Sequence, residues 1–290
     1  MKKILLIVLA ILGIALYAQK VAIEIAGSDT MLELAQALAE DFSKETGIEI
    51  NVGGGGSGTG IARLINNTVD IANSSREMKD KEIKLAEEKG VKIYEVKLGI
   101  DAIAIIANPK NKVKNLTVDQ IAAIYKGEIT NWKEVGGDNI PISLYGRQNN
   151  SGTYVFFREH ILNNKDYSPK MMGMNGNAQI VEAIKNDKGG IGYVGIGYLS
   201  DVKGEVKIIT VNNMSPKDEK AVLTAKYPIA RFLFQYVSDK RLEREEVKKF
   251  FQFALTKKGQ EIIKKVGFYP LGEKKAKELN SNVYPLIFKK

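Results

Sequence analysis

The sequence of 290 residues contains no cysteine and only one histidine, His160. The absence of cysteine excludes disulfide bonds, thiolate metal sites, cysteine nucleophiles and a lipid anchor attached through cysteine. His160 lies in a helical stretch rather than in a motif, and no cluster of His, Asp and Glu has the spacing of a metal site. The G-x-S-x-G motif of serine hydrolases is also missing. We therefore expect a protein that is not an enzyme, with no catalytic residue, no metal and no cofactor.

Nucleic acid is a poor candidate partner, although the chain carries a net charge of +9. A basic surface can attract nucleic acid, but lysine and glutamate are mixed along the sequence, as in residues 79–84. Such mixed runs are typical of solvated helix faces. Because the sequence has no cluster of aromatic and basic residues, we expect no nucleic-acid partner.

The longest apolar run lies at the amino terminus, from Ile4 to Leu16, directly after two lysines. It is too short to span a bilayer comfortably, and a basic start followed by an apolar run is typical of a secretory signal. We expect residues 1–18 to be a signal peptide that is cut near Ala18. An uncleaved anchor is the alternative, because Leu16 stands where a small residue is preferred. No later segment reads as a transmembrane helix, so we expect a periplasmic or other extracytoplasmic location.

Short strand patterns alternate with amphipathic helix patterns along the chain, which indicates an α/β fold. For example, the strand pattern that ends at Ala26 is followed by Met31, Leu34, Leu38 and Phe42 at helical spacing. The layout fits two lobes joined by crossing strands. We expect lobe I to contain residues 19–105 and 230–290, and lobe II to contain residues 106–229.

Three polar, glycine-containing stretches run directly into helix patterns: Gly27–Thr30, Gly53–Gly60 and Arg147–Thr153. A helix start offers unpaired backbone N–H groups and the positive end of the helix dipole. If the three starts converge, they form a cage of donors for a small oxyanion. An oxyanion site is therefore the central hypothesis.

The glycine stretch resembles a P-loop only superficially, because no lysine precedes Thr59 and Gly60. Nucleotide hydrolysis is therefore not expected. Ser57 could cap the helix that follows and still direct its hydroxyl at a ligand. The alternative for this segment alone is a flexible turn.

The other two stretches supply charged and hydroxyl groups. Arg147 offers a planar fork of donors, Ser151 and Thr153 add hydroxyls, and Gly152 allows close approach of the backbone; a helix cap beside a surface arginine is the alternative. The segment of Ser28, Asp29 and Thr30 also reads as an ordinary cap. A carboxylate beside an anion site, however, accepts the proton of phosphate and repels sulfate, which has none to give.

These segments, taken in order, resemble the loops of the extracytoplasmic phosphate-binding proteins of Pst-type ABC transporters. The resemblance extends from about Ile23 to Leu271, nearly the whole mature chain. Each motif is weak alone, but the ordered set is specific. The matching segments are Gly27–Thr30, Gly54–Gly60, Asp70–Arg76, Ile129–Gly137, Arg147–Thr153 and Gly190–Gly195.

The resemblance implies a two-lobed periplasmic-binding-protein fold of type II that closes on a ligand between its lobes. It also implies a phosphate site, to which we add Ser28 and Arg76 as predicted members. The positions that match the family's ligands are Asp29, Thr30, Ser57, Ser75, Arg147, Ser151, Gly152 and Thr153.

One departure from the family concerns the group that accepts the phosphate proton. Some members place an aspartate at the position of Ser75, whereas this chain has serine there, followed by Arg76. Our hypothesis is that Asp29 takes over this role. Asp101 is the other candidate, or it only orients Arg76.

The resemblance implies a monomeric receptor that binds inorganic phosphate and delivers it to an inner-membrane ABC permease. The nearest alternative keeps the fold and binds another tetrahedral oxyanion, such as sulfate, molybdate or tungstate. An exported phosphatase is a second alternative, and an adhesion or signalling module that has lost transport is a third.

Overall fold

The computed structural model describes residues 22–200, 202 and 204–289, so the predicted signal peptide 1–18 lies outside the described residues. The strands are β1 (Ile23–Gly27), β2 (Ile50–Gly55), β3 (Ile71–Ser74), β4 (Ile93–Ala107), β5 (Asn115–Leu116), β6 (Ser143–Arg147), β7 (Met172–Met174), β8 (Gly190–Gly195), β9 (Lys207–Val211), β10 (Ala230–Ser238) and β11 (Tyr269–Pro270).

The α-helices are α1 (Leu32–Thr46), α2 (Ser57–Ile65), α3 (Asp80–Glu88), α4 (Val118–Lys126), α5 (Gly152–His160), α6 (Asn177–Asn186), α7 (Glu219–Leu223), α8 (Asp239–Leu242), α9 (Glu245–Leu255), α10 (Lys257–Lys265), α11 (Glu273–Leu279) and α12 (Tyr284–Phe288). Short 3-10 helices span Asp29–Met31, Trp132–Val135 and Ile196–Leu199. Among the helices of the described residues, none has the length and apolar character needed to cross a membrane. The predicted α/β class is confirmed.

The first half of the sheet brings three polar segments to one edge. Strand β1 pairs in parallel with β2 and β3, and the helices that follow β1 and β2 are α1 and α2. The predicted apolar stripe of α1 is buried, including Leu34, Leu38 and Phe42. Because parallel strands end at the same edge of a sheet, the segments that follow Gly27, Gly55 and Ser74 start side by side.

The second half of the sheet repeats this arrangement with other strands. Strand β6 pairs in parallel with β8 and with β7, and it ends at Arg147. The segment that leads into α5 therefore also begins at the carboxyl end of a parallel strand. Both halves thus present polar loops at strand ends, where α/β sheets bind their ligands.

Strand β4 runs through both halves of the sheet. Its residues up to Ala102 pair with the antiparallel strand β10, and from Ile103 onward it pairs with β8 and β9. Strand β10 enters this crossing at Ala230, the partner of Ala102. The lobe boundaries at 105/106 and 229/230 stay a prediction, but the crossing of two strands beside the polar loops is a direct observation.

Candidate functional site

The three predicted polar stretches meet in the structure. Ser28 Oγ donates to Ser75 Oγ at 3.0 Å, and Thr30 Oγ1 lies 2.8 Å from Thr153 Oγ1. Seven predicted site residues are almost fully buried; they are Ser28, Thr30, Ser57, Ser75, Arg147, Ser151 and Thr153. A buried cluster of this polarity is unfavourable unless its members are hydrogen-bonded to each other or to a ligand.

Ser57 and Ser75 join two of the loops of the first half. Ser57 Oγ accepts a hydrogen bond from Ser75 N at 3.1 Å and lies 3.4 Å from Ser75 Oγ. The expectation that Ser57 caps its helix is wrong, because Ser57 is the first residue of α2 and Gly56, at φ 88°, is the N-cap. The hydroxyl of Ser57 is therefore directed at the other loop and not at its own helix.

Gly152 allows the loop of the second half to approach the first half closely. A Cβ atom at this position would lie 2.3 Å from Ser57 Oγ and 2.8 Å from Ser75 Oγ. Ser151 is the N-cap of α5, and its Oγ accepts hydrogen bonds from Thr153 N and Tyr154 N. The cap was the alternative interpretation of this segment, and the structure shows that the cap and the convergence of loops occur together.

Arg147 is a buried arginine of the cluster and is 1% exposed. Its Nε donates to Met174 O, and its Nη2 donates to Asn175 O and to Asp29 Oδ2. Its Nη1 is buried without a hydrogen-bond partner among the residues that the structure describes. The guanidinium is thus fixed on one side and keeps one donor group unused.

Asp29 holds Arg147 rather than capping a helix. One carboxylate oxygen accepts from Gly55 N at 2.9 Å, and the other accepts from Arg147 Nη2 at 2.5 Å. This ion pair joins the loop after β1 to the last residue of β6, and the two strands belong to different halves of the sheet. The role of Asp29 as the acceptor of a ligand proton stays a prediction.

Arg231, on β10, belongs to the same cluster and was missed from the sequence. Its Nη2 lies 2.8 Å from Thr153 Oγ1, and the same group donates to Asp101 Oδ2. The available signal was a lone arginine in an apolar strand and a lone aspartate in another, Asp101 within Leu98–Ala107. Such isolated opposite charges in apolar runs are tolerated in a core only as a pair.

Asp101 is fully buried and pairs with Arg231, so the suggestion that it orients Arg76 is wrong. Burial raises the pKa of the Asp101 carboxyl, against the opposing effect of the Arg231 charge. Burial likewise lowers the pKa of the Arg231 guanidinium, against the opposing effect of Asp101. Arg231 thus stands between Asp101 and Thr153, which both contact its Nη2.

Arg76, a predicted site residue, has a different environment. Both of its terminal nitrogens donate to the Glu82 carboxylate, at 2.8 and 2.7 Å, and Nη1 also donates to Glu77 O. Only its Nε is buried without a partner in the described part of the chain. Its predicted role as an anion ligand is not tested by these contacts and stays a prediction.

Asn177, at the start of α6, is a further buried residue that sequence reasoning missed. Its Nδ2 lies 3.5 Å from Thr30 Oγ1, and its Oδ1 accepts from Gly195 N at 3.4 Å. An asparagine that opens a helix is usually read as a cap, so the sequence alone gave no reason to select it. Asn177 supports Thr30 from the second half of the sheet.

The chemistry of the cluster is that of anion binding. Hydroxyl groups and two guanidinium groups supply donors, and each guanidinium has its own aspartate. Within residues 22–200, 202 and 204–289, no group of three or more His, Asp and Glu side chains could hold a metal ion. A tetrahedral oxyanion matches donors that converge from several loops.

Comparison with known proteins points in the same direction. The family model of the PBP superfamily domain matches residues 17–258. The chain is 33% identical over 269 residues to protein SphX of Synechococcus elongatus, covering 89% of this chain and 80% of that protein. It is 33% identical over 276 residues to the phosphate-binding protein PstS of Pseudomonas aeruginosa, and the match covers 87% of this chain and 85% of that protein.

A solved structure of a protein of this kind has a similar fold. A substrate-binding protein assigned to a phosphate ABC transporter of Clostridium perfringens, whose crystal structure contains bound phosphate, superposes with a TM-score of 0.79. The two chains are 29% identical, and the match covers 86% of this chain and 98% of the other. The residues that the family model matches, 17–258, include strands of both halves of the sheet and all of the polar loops.

Proposed function

The chain belongs to the PBP superfamily and, within it, to the family of Pst-type phosphate-binding proteins, and on this premise we propose that it is an extracytoplasmic receptor for inorganic phosphate. It captures phosphate between its two lobes and closes like a hinge. It then delivers the ion to an inner-membrane ABC permease. It acts as a monomer and catalyses no reaction.

One observation carries this proposal: buried hydroxyls from four separate loops lie within hydrogen-bond distance of one another, with Arg231 in contact with Thr153 and Arg147 held beside them by Asp29. The contacts between Ser28 and Ser75 and between Thr30 and Thr153 link segments that are 47 and 123 residues apart. Folding brings them together at the carboxyl ends of parallel strands. Burying these polar groups away from water is unfavourable in free energy, and hydrogen bonds to a bound oxyanion offset this cost.

The energetic requirement explains the number of donors. Burying an isolated ion costs on the order of tens of kcal/mol, whereas a hydrogen bond to a charged group returns about 1.5–3 kcal/mol net. One loop therefore cannot hold phosphate out of water. Several donors must act together, which is why a site built from converging loops supports binding of a dianion.

We assign the following roles on this basis. Ser28, Thr30, Ser57, Ser75 and Thr153 offer hydroxyls, and Ser151 and Gly152 present the start of α5. Arg147 is the principal cation. Arg76, the predicted ligand of the loop after β3, is engaged by Glu82, and we expect it to contribute little to affinity. Asp29 holds Arg147 and, in our hypothesis, accepts the proton that phosphate carries near neutral pH.

The paired state of Asp29 favours one second candidate function. Both of its oxygens already accept hydrogen bonds, and Ser75 stands where some members of the family have a carboxylate. A site whose carboxylates serve only as counterions of arginine would also accept sulfate, molybdate or tungstate. The second candidate is therefore a receptor with the same fold for another tetrahedral oxyanion.

The test is calorimetry of the chain from residue 19 onward with phosphate, sulfate, molybdate and tungstate in turn. We expect tight 1:1 binding of phosphate, weak binding of the other ions, and an increase in melting temperature with phosphate. Tight binding of sulfate without phosphate binding would favour the second candidate. Release of phosphate from an added phosphate ester would contradict the assignment as a receptor.

The cellular part of the proposal needs its own measurement. We expect the full chain to be exported and residues 1–18 to be removed, which mass spectrometry of the mature protein detects. Deletion of the gene should reduce phosphate uptake by cells at low external phosphate. Normal uptake after deletion would favour an adhesion or signalling role for the same fold.

A further inference from the structure

Arg231 and Asp101 form a buried ion pair in the strand crossing. They are register partners on β10 and β4, and their side chains are 2% and 0% exposed. Asp101 is the only charged residue of the apolar run 98–107, and Arg231 is the only charged residue of β10. Replacing such a pair by apolar residues often stabilises a protein, so its presence calls for a role other than stability.

The geometry leaves part of the guanidinium unused. Arg231 Nε and Nη2 both donate to the same oxygen, Asp101 Oδ2, at 3.1 and 2.9 Å. Nη2 also donates to Thr153 Oγ1 at 2.8 Å. Nη1 is buried and has no hydrogen-bond partner in the described residues. The other carboxylate oxygen, Asp101 Oδ1, accepts a hydrogen bond from Ile196 N at 3.0 Å. Both oxygens of Asp101 are therefore held, whereas the guanidinium keeps one nitrogen without a partner.

Arg231 reaches the polar cluster directly through Thr153. The Thr153 hydroxyl lies between Arg231 Nη2 and Thr30 Oγ1, each at 2.8 Å. Thr30 follows Asp29, the partner of Arg147. The two guanidiniums are therefore linked by a short chain of contacts through Asp29, Thr30 and Thr153.

The two arginines also act on each other electrostatically. Burial is the main cause that lowers the pKa of Arg231, Asp101 opposes it, and the Arg147 charge lowers it further. Two like charges that are buried near each other repel, and an anion between them relieves this repulsion. The ionisable groups that act on Arg231 include Asp101, Arg147 and Tyr193.

We propose that Arg231 is a second guanidinium of the oxyanion site, presented by the crossing strand β10 and held in place by Asp101. This inference rests on the proposed function and deepens it. Arg231 contacts the ligand through Nη1, and Asp101 is a positioning residue that lies behind Arg231. The site then contains one arginine from the end of β6 and one from the strand crossing.

Because of this placement, ligand binding affects how the loop after β6 in the second half of the sheet is positioned against the strand crossing. Arg231 is carried by a strand of the crossing and contacts Thr153, which belongs to the loop that follows β6. A ligand that binds both Arg231 and Thr153 therefore stabilises the arrangement in which the loop lies against the crossing. Loss of Arg231 should weaken closure as well as affinity.

The experiment compares phosphate binding by the wild type with three variants. Arg231→Gln combined with Asp101→Asn removes both charges and leaves no unpaired buried ion. Arg231→Lys keeps the charge but loses the fork. Arg244→Gln is the matched control, because it removes a guanidinium that pairs with Asp70 and donates to Ala22 O at the opposite edge of the sheet.

We expect the double variant to bind phosphate about 10- to 100-fold more weakly than the wild type. The phosphate affinity of Arg231→Lys should lie between those of the wild type and the double variant. The affinity of Arg244→Gln should stay within about twofold of the wild type. The phosphate affinity of the wild type should increase with pH over the range in which phosphate changes from monoanion to dianion. The affinity of the double variant should increase less over the same range. A purely structural role would lower affinity equally at every pH.

The outcomes separate this inference from the proposed function. Wild-type protein that does not bind phosphate overturns the proposed function, and this inference with it. If the wild-type protein binds phosphate and the double variant binds it with the same affinity and the same pH dependence, the inference alone is overturned. If the double variant does not fold, Arg231→Lys decides, because unchanged affinity and pH dependence in that variant overturn the inference as well.

Discussion

Arg76 and Arg231 are two buried arginines beside the same polar loops, and their surroundings differ. Arg76 is 5% exposed and donates from both terminal nitrogens to the two oxygens of Glu82. Arg231 is 6% exposed and donates twice to a single oxygen of Asp101, while Nη1 lacks a partner within the described residues. Both terminal nitrogens of Arg76 are engaged by its carboxylate, and only Nε lacks a partner in the described residues, whereas Arg231 has a terminal nitrogen, Nη1, without one.

The difference indicates how to separate a structural arginine from a binding arginine. A bidentate pair with a carboxylate uses the donors that an oxyanion would otherwise take. Arg147 resembles Arg231, because a terminal nitrogen, Nη1, is also without a partner in the part of the chain that is described, whereas Arg76 lacks a partner only at Nε. We therefore expect Arg147 and Arg231 to control affinity, and Arg76 with Glu82 to control mainly stability.

The largest effect is expected for Arg147→Gln. This change removes a charged donor from the centre of the site and leaves Asp29 without its partner, so phosphate affinity should fall by about 100-fold or more. Calorimetry measures the loss, and Arg76→Gln is the control. If Arg76→Gln weakens binding as much as Arg147→Gln does, the distinction between the two kinds of arginine is wrong.

A loss of about tenfold is expected for Gly152→Ala. The added methyl group would lie 2.3 Å from Ser57 Oγ, so the loop must retreat at a cost of about 1–3 kcal/mol. Gly176→Ala is the matched control, because a Cβ there meets nothing within 4 Å and φ is −141°. Equal affinities of the two variants would mean that the close approach of Gly152 is not needed for binding.

Asp29→Asn tests the proton acceptor through a ratio of affinities. Both phosphate and sulfate binding should weaken because Arg147 loses its charged partner. If Asp29 accepts the phosphate proton, the preference for phosphate over sulfate should also narrow, by about tenfold. Calorimetry with both anions gives the ratio, and Asp70→Asn at the opposite edge of the sheet is the control. An unchanged ratio of phosphate to sulfate affinity would mean that Asp29 serves only as a counterion of Arg147.

The smallest effect on binding is expected for Glu82→Gln, and its main effect should be on stability. Burial tends to raise the pKa of Glu82, but the hydrogen bonds from Arg76 and Lys79 outweigh it and the pKa is lowered. A lowered pKa in the folded state stabilises the protein above the ordinary pKa of glutamate, and this contribution is lost as the pH falls through the lowered value.

The variant should therefore be less stable than the wild type at neutral pH by about 1 kcal/mol, and the difference should shrink in acid. Denaturant unfolding at a series of pH values measures this trend, while phosphate affinity should change by less than about threefold. A large loss of affinity in Glu82→Gln would show that Arg76 needs Glu82 to act as a ligand, contrary to the comparison above.

Much of the fold and part of the site could be predicted from local sequence. Periodicity predicted α1 and the strand before it, and glycine and hydroxyl residues marked the loops at the ends of β1, β2 and β6. These signals are local, because the shape of a helix start or a turn depends on a few neighbouring residues. For the same reason the helix cap, one of the two interpretations of the segment around Ser151, was visible in the sequence and is confirmed.

The partners of the charged side chains could not be predicted in the same way. Asp29 reads as a cap, yet it contacts Arg147, which is 118 residues away. Asp101 was considered with Arg76, yet it pairs with Arg231, which is 130 residues away. Local sequence contains no information on which of several buried charges will meet across a sheet.

The sequence by itself determined the alternation of strands and helices, the polar strand ends, and the absence of thiol chemistry. These properties follow from composition and from the spacing of residues along one strand or helix. The tertiary structure alone decided which arginines of the described residues keep a terminal nitrogen unpaired beside the hydroxyl cluster, namely Arg147 and Arg231. For Arg231 that choice depends on strand register, which places it opposite Asp101 on β4, and on the packing of the start of α5 against it, which brings Thr153 within hydrogen-bond distance.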